Sequence, residues 1–152
     1  MYELFESYCS SEPKTKDRLP DKRTGNIYTR ITFQTYSLPC FNEFHNLFYP
    51  AGFKTVPSNI GDLLTPAGLA YLIQDDGNFS KSHGTVSIST NSFSESEVDS
   101  LISVLTNKFE LACRKERSGA DFKIVIKKCS VVKLREIVSP YFHITMLYKL
   151  GL

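Results

Sequence analysis

Hydrophobic positions recur along this chain with periods that change from stretch to stretch, and the changes predict its elements. Leu4, Phe5 and Tyr8 fall on one side of residues 2–8, as at the end of a helix. Ser10 to Asp21 is polar, basic and punctuated by proline. From Ile27 to Tyr36 the period drops to two. Ile27, Thr29, Ile31 and Phe33 point one way, and Tyr28, Arg30, Thr32 and Gln34 the other. That alternation predicts a half-buried strand with a polar, partly basic outer face, and Gly25-Asn26 before it suits a turn. Cys40 to Tyr49 predicts a short helix, stopped by Pro50 and Gly52. Residues 53–64 have the character of a linker.

After the linker the pattern becomes regular. Thr65-Pro66 opens a helix with a hydroxyl N-cap and proline at the first helical position. The helix runs through Leu69 and Ile73 to Gln74-Asp75-Asp76-Gly77. Short strands are expected at Asn78–Lys81 and Thr85–Thr90, the second with Val86 and Ile88 inward and Thr85, Ser87 and Ser89 outward. Ser94 and Glu97 form a capping box, and Val98, Leu101, Ile102 and Leu105 give an amphipathic helix to about Lys108. Strands at 109–116 and 121–127 flank a turn at Ser118-Gly119. A helix at about 131–138 and an apolar tail ending at Tyr148-Lys149-Leu150 complete the chain. From Thr65 onward the predicted order is α-β-β-α-β-β-α.

The helix at 66–75 combines three features that a plain core helix rarely has. It is apolar on all sides, which predicts burial all round. Ala67, Gly68 and Ala70 near its start permit another helix to approach closely. Asp75 and Asp76 stand at its C-terminal end, where the helix dipole disfavours each negative charge by about 0.3–1 kcal/mol. A cation would offset that cost, and Mg²⁺ is typically held by one or two carboxylates plus phosphate oxygens. The alternative is a helix end capped by Gly77 in the left-handed conformation, with both aspartates in solvent.

Charge adds a direction. The net charge is only +2, but Lys14 to Arg30 holds six basic residues against two acidic, and Lys108 to Lys128 seven against three. Two separated basic blocks suggest one polarised face for a polyanion; a solvated surface without a partner is the plainer reading of the charge alone. Cys9, Cys40, Cys113 and Cys129 form no CxxC pair, and His45, His83 and His143 stand apart. This argues against a zinc site or disulfide framework. The apolar runs fall short of a membrane span. No phosphate loop, nucleophile elbow or His-acid pair points to a small-molecule enzyme.

The stretch Leu69-Ala70-Tyr71-Leu72-Ile73-Gln74-Asp75-Asp76-Gly77 resembles the signature nonapeptide of LAGLIDADG homing endonucleases, with the flanking Thr-Pro before it. Lys54-Thr55-Val56-Pro57, Asn91-Ser92-Phe93-Ser94 and Met146-Leu147-Tyr148-Lys149-Leu150 extend the likeness. The match is to the second half of two-repeat, single-chain members. The resemblance implies an α+β fold with an antiparallel, saddle-shaped sheet, in which two repeats pack their signature helices together. Ala67, Gly68, Ala70 and Tyr71 would form that seam.

The resemblance further implies metal-dependent double-strand DNA cleavage. Asp76 matches the metal-binding catalytic acid, for Mg²⁺ or Mn²⁺, with Asp75 a neighbour rather than a ligand. Lys54 and Lys149 match basic residues near the scissile phosphates. DNA contacts are expected from outward strand positions: Tyr28, Arg30, Thr32 and Gln34 first; then Ser80, Lys81, Ser87 and Ser89; then Arg114, Lys123 and Lys127. An organelle, the mitochondrion ahead of the chloroplast, is the implied location.

The sequence also departs from the pattern. Only one signature helix is present, and the residues before it resemble the tail of a first repeat. Residues 1–52 are therefore assigned to an incomplete first repeat, 53–64 to the linker and 65–152 to a complete second repeat. A half-built repeat would expose an apolar sheet face and the small-residue face of the signature helix, which a monomer rarely tolerates. The expectation is a fragment of a split enzyme, inactive alone and completed by a second chain that supplies the missing helix. The alternative is a non-cleaving derivative that binds structured RNA, as an intron maturase or a ribonucleoprotein component.

Overall fold

The computed structural model describes residues 2–152, which fall into two compact units, the first ending at His45 and the second starting at Asn46.

The first unit starts with a one-turn helix, α1 (Tyr2–Phe5), continued by a 3₁₀ turn to Tyr8. β1 (Lys14–Asp17) and β2 (Thr29–Thr32) then form an antiparallel ribbon, with Lys14 opposite Thr32 and Lys16 opposite Arg30. β2 is shorter than the alternation from Ile27 to Tyr36 suggests. The turn between them is built by Asp21, whose Oδ1 accepts from the amides of Arg23 and Thr24 at 2.9 Å each. Gly25 closes it at φ +70°, a conformation that costs glycine little. α2 (Asn42–Phe48) ends the unit and carries the chain onward.

None of the described residues of the first unit is buried. Ile31 is 68% exposed and Ile27 62%, so the expected half-buried face is covered only at Phe33, whose ring meets those of Tyr2 and Phe5. The alternation is real, but a two-stranded ribbon supplies no second layer for its apolar side.

The second unit has the predicted order. α4 (Pro66–Asp76), β3 (Gly77–Ser80), β4 (Thr85–Ser89), α5 (Glu95–Phe109), β5 (Cys113–Ser118), β6 (Asp121–Ile126) and α6 (Val131–Val138) follow one another. The strands make one antiparallel sheet in the order β3-β4-β6-β5. Val86, Ile88, Ile124 and Ile126 point from it into a core shared with Leu69 and Ile73 of α4, Leu105 of α5 and Leu134 of α6. Burial of each such side chain contributes about 1.5–3 kcal/mol. The fifth strand starts four residues later than expected. α5 runs on to Phe109, Glu110 turns the chain at φ 53°, and Leu111 enters the core.

Two boundaries differ from those drawn on the sequence. Phe48 packs against the second core, so the end of α2 belongs to the second unit. The stretch 53–64 is no free linker: it contains α3 (Ile60–Leu63), and Pro57, Ile60 and Leu64 are buried. The apolar tail forms 3₁₀ turns from Ile144 to Leu150. Leu150 is buried, and Arg135 fastens the tail by donating from Nε and Nη2 to the Leu150 carbonyl at 2.9 and 2.7 Å.

A signature helix, its acidic turn and two basic strand surfaces

Thr65 caps α4 by accepting from the Gly68 amide at 3.1 Å, as the Thr-Pro start predicts. The helix is apolar on all sides but buried on one only. Leu69, Ala70 and Ile73 are fully covered, while Ala67, Gly68, Tyr71 and Leu72 are half-buried. The expected all-round burial is therefore not met inside this chain: Leu72 packs against the margin of the core and shares a groove with Gly68, while Ala67 and Tyr71 stay only half-covered. Ala70 also departs from its expected place: it lies in the chain's own core, so no partner helix can touch it. Ala67, Gly68 and Tyr71 remain on the half-covered side. A methyl group added at Gly68 would meet only Leu64 Cδ1 and Thr65 Oγ1 at 3.5 Å, ordinary contacts. This chain's own packing does not require a glycine there.

Gly77 is required, though not for a left-handed turn. Its backbone is extended, at φ −83° and ψ 152°, and it starts β3 directly. A Cβ would lie 2.4 Å from the Ile73 carbonyl oxygen, so strand and helix meet too closely for a side chain. That abrupt exit leaves Asp75 and Asp76 exposed at the helix end. No hydrogen bond or ion pair engages either carboxylate among the described residues. Lys149 joins them: its ammonium donates to the carbonyls of Gln74 at 2.6 Å and Asp75 at 2.8 Å. A cation on the last carbonyls complements the helix dipole. Gln74 fixes the same end from its other side, donating to the Tyr141 carbonyl and accepting from the His143 amide.

Among the described residues no group of three or more His, Cys, Asp or Glu could hold a metal. What the turn offers is hard carboxylate oxygen, the donor type that suits Mg²⁺ or Mn²⁺. Two exposed carboxylates are a donor type that fits such an ion.

Lys54 lies elsewhere. Its ammonium stands 5.0 Å from the centre of the Phe93 ring, and it lines a groove of about 330 Å³ with Gly68 and Leu72. About 12 Å of helix rise separates Gly68 from Asp76. Beside Lys54 sits a residue that sequence reading treated only as a helix cap. The Glu97 carboxylate accepts from Thr55 Oγ1 at 2.6 Å, the Val56 amide at 2.8 Å, and the amide and hydroxyl of Ser94 at 2.7 Å each. These donors, Thr55 first, hold its pKa down at about 2. The capping-box spacing was visible; the reach to residues 55 and 56 was not.

The strand registers sort the candidate contact residues. On the ribbon, Lys14, Lys16, Arg30 and Thr32 share one face, and Arg18 and Tyr28 extend it through an amide-to-carbonyl bond of 2.9 Å. Asp17 and Thr29 bond to each other on the opposite face. Hydrogen bonds with the side chains of Asn26 and Thr24 lower the Tyr28 pKa. Lys14, Lys16 and Arg18 were not singled out from the sequence, although the alternating Lys-Thr-Lys-Asp-Arg run carries the signal. Like charges directly opposite each other disfavour the ribbon.

On the four-stranded sheet, Asn78, Ser87, Val125 and Arg114 form one cross-sheet row, and Ser89, Lys123 and Glu116 the next. Glu116 Oε2 accepts from Arg114 at 2.9 Å, and its Oε1 lies 2.8 Å from Lys123 Nζ. The Lys123 and Arg114 bonds hold the Glu116 pKa at about 2. Lys115 and Arg117 belong to the other face. Lys115 pairs with Asp99 and Glu95 of α5, whose hydrogen bonds raise its pKa. Ser80, Ser82 and His83 bond together at the β3–β4 turn, where Lys81 is exposed. Lys127 is exposed beyond the end of β6.

An apolar helix running into an acidic turn, backed by an antiparallel sheet, defines the homing-endonuclease fold. The sequence model of the LAGLIDADG DNA endonuclease family matches residues 1–134, and the chain belongs to that family. The fold superposes on a solved structure, the homing endonuclease I-WcaI bound to its DNA recognition sequence. The TM-score is 0.88 at 25% identity, over 98% of this chain and 68% of that one. Over its full length the chain is 31% identical to the intron-encoded endonuclease ai4 of Dictyostelium discoideum, covering 99% of that protein. It is 32% identical to cytochrome b mRNA maturases bI2 of Debaryomyces hansenii and Saccharomyces cerevisiae. In those two relatives it spans only 55% and 36% of the length. The family is one of DNA endonucleases, with maturases among the relatives.

Proposed function

We propose that this chain supplies one signature half of a metal-dependent, site-specific DNA endonuclease, completed by a second signature helix from outside residues 1–152. The observation that carries this reading is the state of α4. It is apolar on every side yet covered on one, and its end presents two unengaged carboxylates with a lysine anchored beside them. A second helix packed on Ala67, Gly68 and Tyr71 would cover the half-exposed side and bring a further acid to Asp76.

The chain's own residues then have defined tasks. Asp76 would hold a divalent cation, Mg²⁺ or Mn²⁺, and Asp75 would stay a neighbour. When bound, the metal polarises the phosphodiester and lowers the pKa of its water. Lys149, fixed to the helix-end carbonyls, adds positive charge near the phosphate. Lys54 does so at the other strand's site once the missing helix is present. The ribbon face holds phosphates through Lys14, Lys16 and Arg30, and the sheet face reads base edges through Ser87, Ser89, Arg114 and Lys123. Ser80, Lys81 and Lys127 lie at the margins of that surface, as do Tyr28, Thr32 and Gln34 on the ribbon. The working location is an organelle, the mitochondrion ahead of the chloroplast.

The test is reconstitution. The chain alone should not cut a duplex carrying the recognition site in Mg²⁺. Addition of a polypeptide bearing the first signature helix should restore cutting, and Asp76→Asn should abolish it while leaving duplex affinity intact. A completed pair that binds duplex but never cuts would overturn the endonuclease reading. In its place stands the second reading, favoured by the two maturase relatives: a non-cleaving protein that binds structured RNA of an intron or ribonucleoprotein. Preference for intron RNA over duplex DNA in matched titrations would establish it.

A further inference from the structure

The two candidate contact surfaces differ in how their cations are held. On the ribbon, Lys14, Lys16 and Arg30 share a face with no acid of either strand, since Asp17 points the other way and bonds Thr29. On the sheet, Arg114 and Lys123 are both tied to one carboxylate that gives each of them a separate oxygen. Glu116 belongs to the same face as both cations: it is two residues from Arg114 along β5 and directly opposite Lys123 across the ladder. Its side chain is 39% exposed, against 51% for Arg114 and 33% for Lys123, so all three present polar atoms to whatever lies on the sheet.

We propose that Glu116 is a specificity-determining residue, which restrains Arg114 and Lys123 from phosphates and releases them only to matching base edges. The proposal rests on the reading of this sheet as a DNA-facing surface. The physical reason is a competition. A phosphate that approaches Arg114 or Lys123 must also approach the Glu116 carboxylate, and repulsion between the two anions cancels much of the attraction to the cations. A base edge carries no net charge and suffers no such repulsion. Guanine O6 and N7 accept from the free N–H groups of Arg114, while the carboxylate can accept from a cytosine amino group. The trio therefore penalises backbone-only docking and leaves base docking favourable, whereas the ribbon grips any duplex.

The experiment compares the wild-type chain with Glu116→Gln on two probes: a duplex pool of randomised sequence, and a duplex enriched from that pool by selection on the wild-type chain. Removal of one negative charge beside the phosphates should tighten binding to the random pool roughly tenfold at low salt. It should also steepen the salt dependence by about 0.9 in log K against log salt, one more phosphate contact. Affinity for the enriched duplex should change less than threefold, so discrimination falls. The same substitution placed in an Arg114→Gln, Lys123→Gln background should tighten the random pool by less than threefold, because no cation remains to draw a phosphate to that carboxylate. Equal tightening on both probes, no change on either, or a full effect without the two cations would each overturn the proposal. If the wild-type chain itself shows no salt-dependent binding to either duplex, the DNA-facing reading of the sheet fails and this inference with it.

Discussion

Glu97→Gln perturbs one carboxylate that joins three parts of the chain: residues 55–56, the cap of α5 and the first turn of that helix. Four donors converge on the acid at 2.6–2.8 Å. Glutamine keeps one carbonyl oxygen and turns an NH₂ donor toward groups that are themselves donors, so about half the bonds are lost. The magnitude follows from linkage. A pKa lowered from 4.5 to about 2 corresponds at most to about 3 kcal/mol. Partial exposure and solvent screening reduce this to about 2 kcal/mol.

The folded-state pKa is depressed, so the contribution is complete above the unfolded value of 4.5 and disappears as pH falls toward 2. Urea unfolding followed by circular dichroism at pH 7, 5 and 3 measures it. Wild type should exceed Glu97→Gln by about 2 kcal/mol at pH 7 and by less than about 1 kcal/mol at pH 3. Glu116 titrates in the same window but is present in both proteins and cancels in the difference. The amide of Val56 should exchange its hydrogen at least tenfold faster in the variant. A gap that stays constant from pH 7 to pH 3, or no gap at pH 7, would refute the assignment of Glu97 as a charged latch.

Asp76→Asn should leave urea stability unchanged or raise it by up to about 0.5 kcal/mol, because an acid at a helix C-terminus opposes the dipole; a loss above about 1 kcal/mol would mean that Asp76 has a structural partner. Gly77→Ala should cost about 2 kcal/mol or more, since its Cβ would overlap the Ile73 carbonyl. Gly68→Ala should instead stabilise the chain by about 0.5 kcal/mol and weaken its pairing with the missing half, both readable by thermal melts and a pull-down of the two polypeptides. Substitution of Lys14, Lys16 or Arg30 by glutamine should reduce the salt slope of duplex binding by about 0.9 each in fluorescence anisotropy; unchanged slopes would remove the ribbon from the contact surface.

Much of this protein was legible without coordinates because its signals are local. A Thr-Pro start, a capping box at Ser94 and Glu97, alternation through Val86–Ile88 and Phe122–Ile126, and glycines at turns each act within a few residues. Summed, they predict α-β-β-α-β-β-α, and the element order of the second unit follows them. The paired aspartates before Gly77 were equally visible, since their oddity is their position at the wrong end of a helix dipole.

What depended on tertiary structure is what lies across the sequence. Burial of α4 on one side only is a property of its neighbours, and hydrophobicity on all sides could not reveal which side would lack them. Ala70 and Gly68 read alike as small residues; packing sends the first into the core and leaves the second half-covered. Gly77 reads as a turn glycine, yet extended backbone pressed against Ile73 is the reason for it. Glu97 meets Thr55 and Val56 from 42 and 41 residues away. The Arg114–Glu116–Lys123 trio needs the register of two strands before its geometry exists. Short-range chemistry writes elements into a sequence, but charge partners and uncovered faces are set only once those elements have packed.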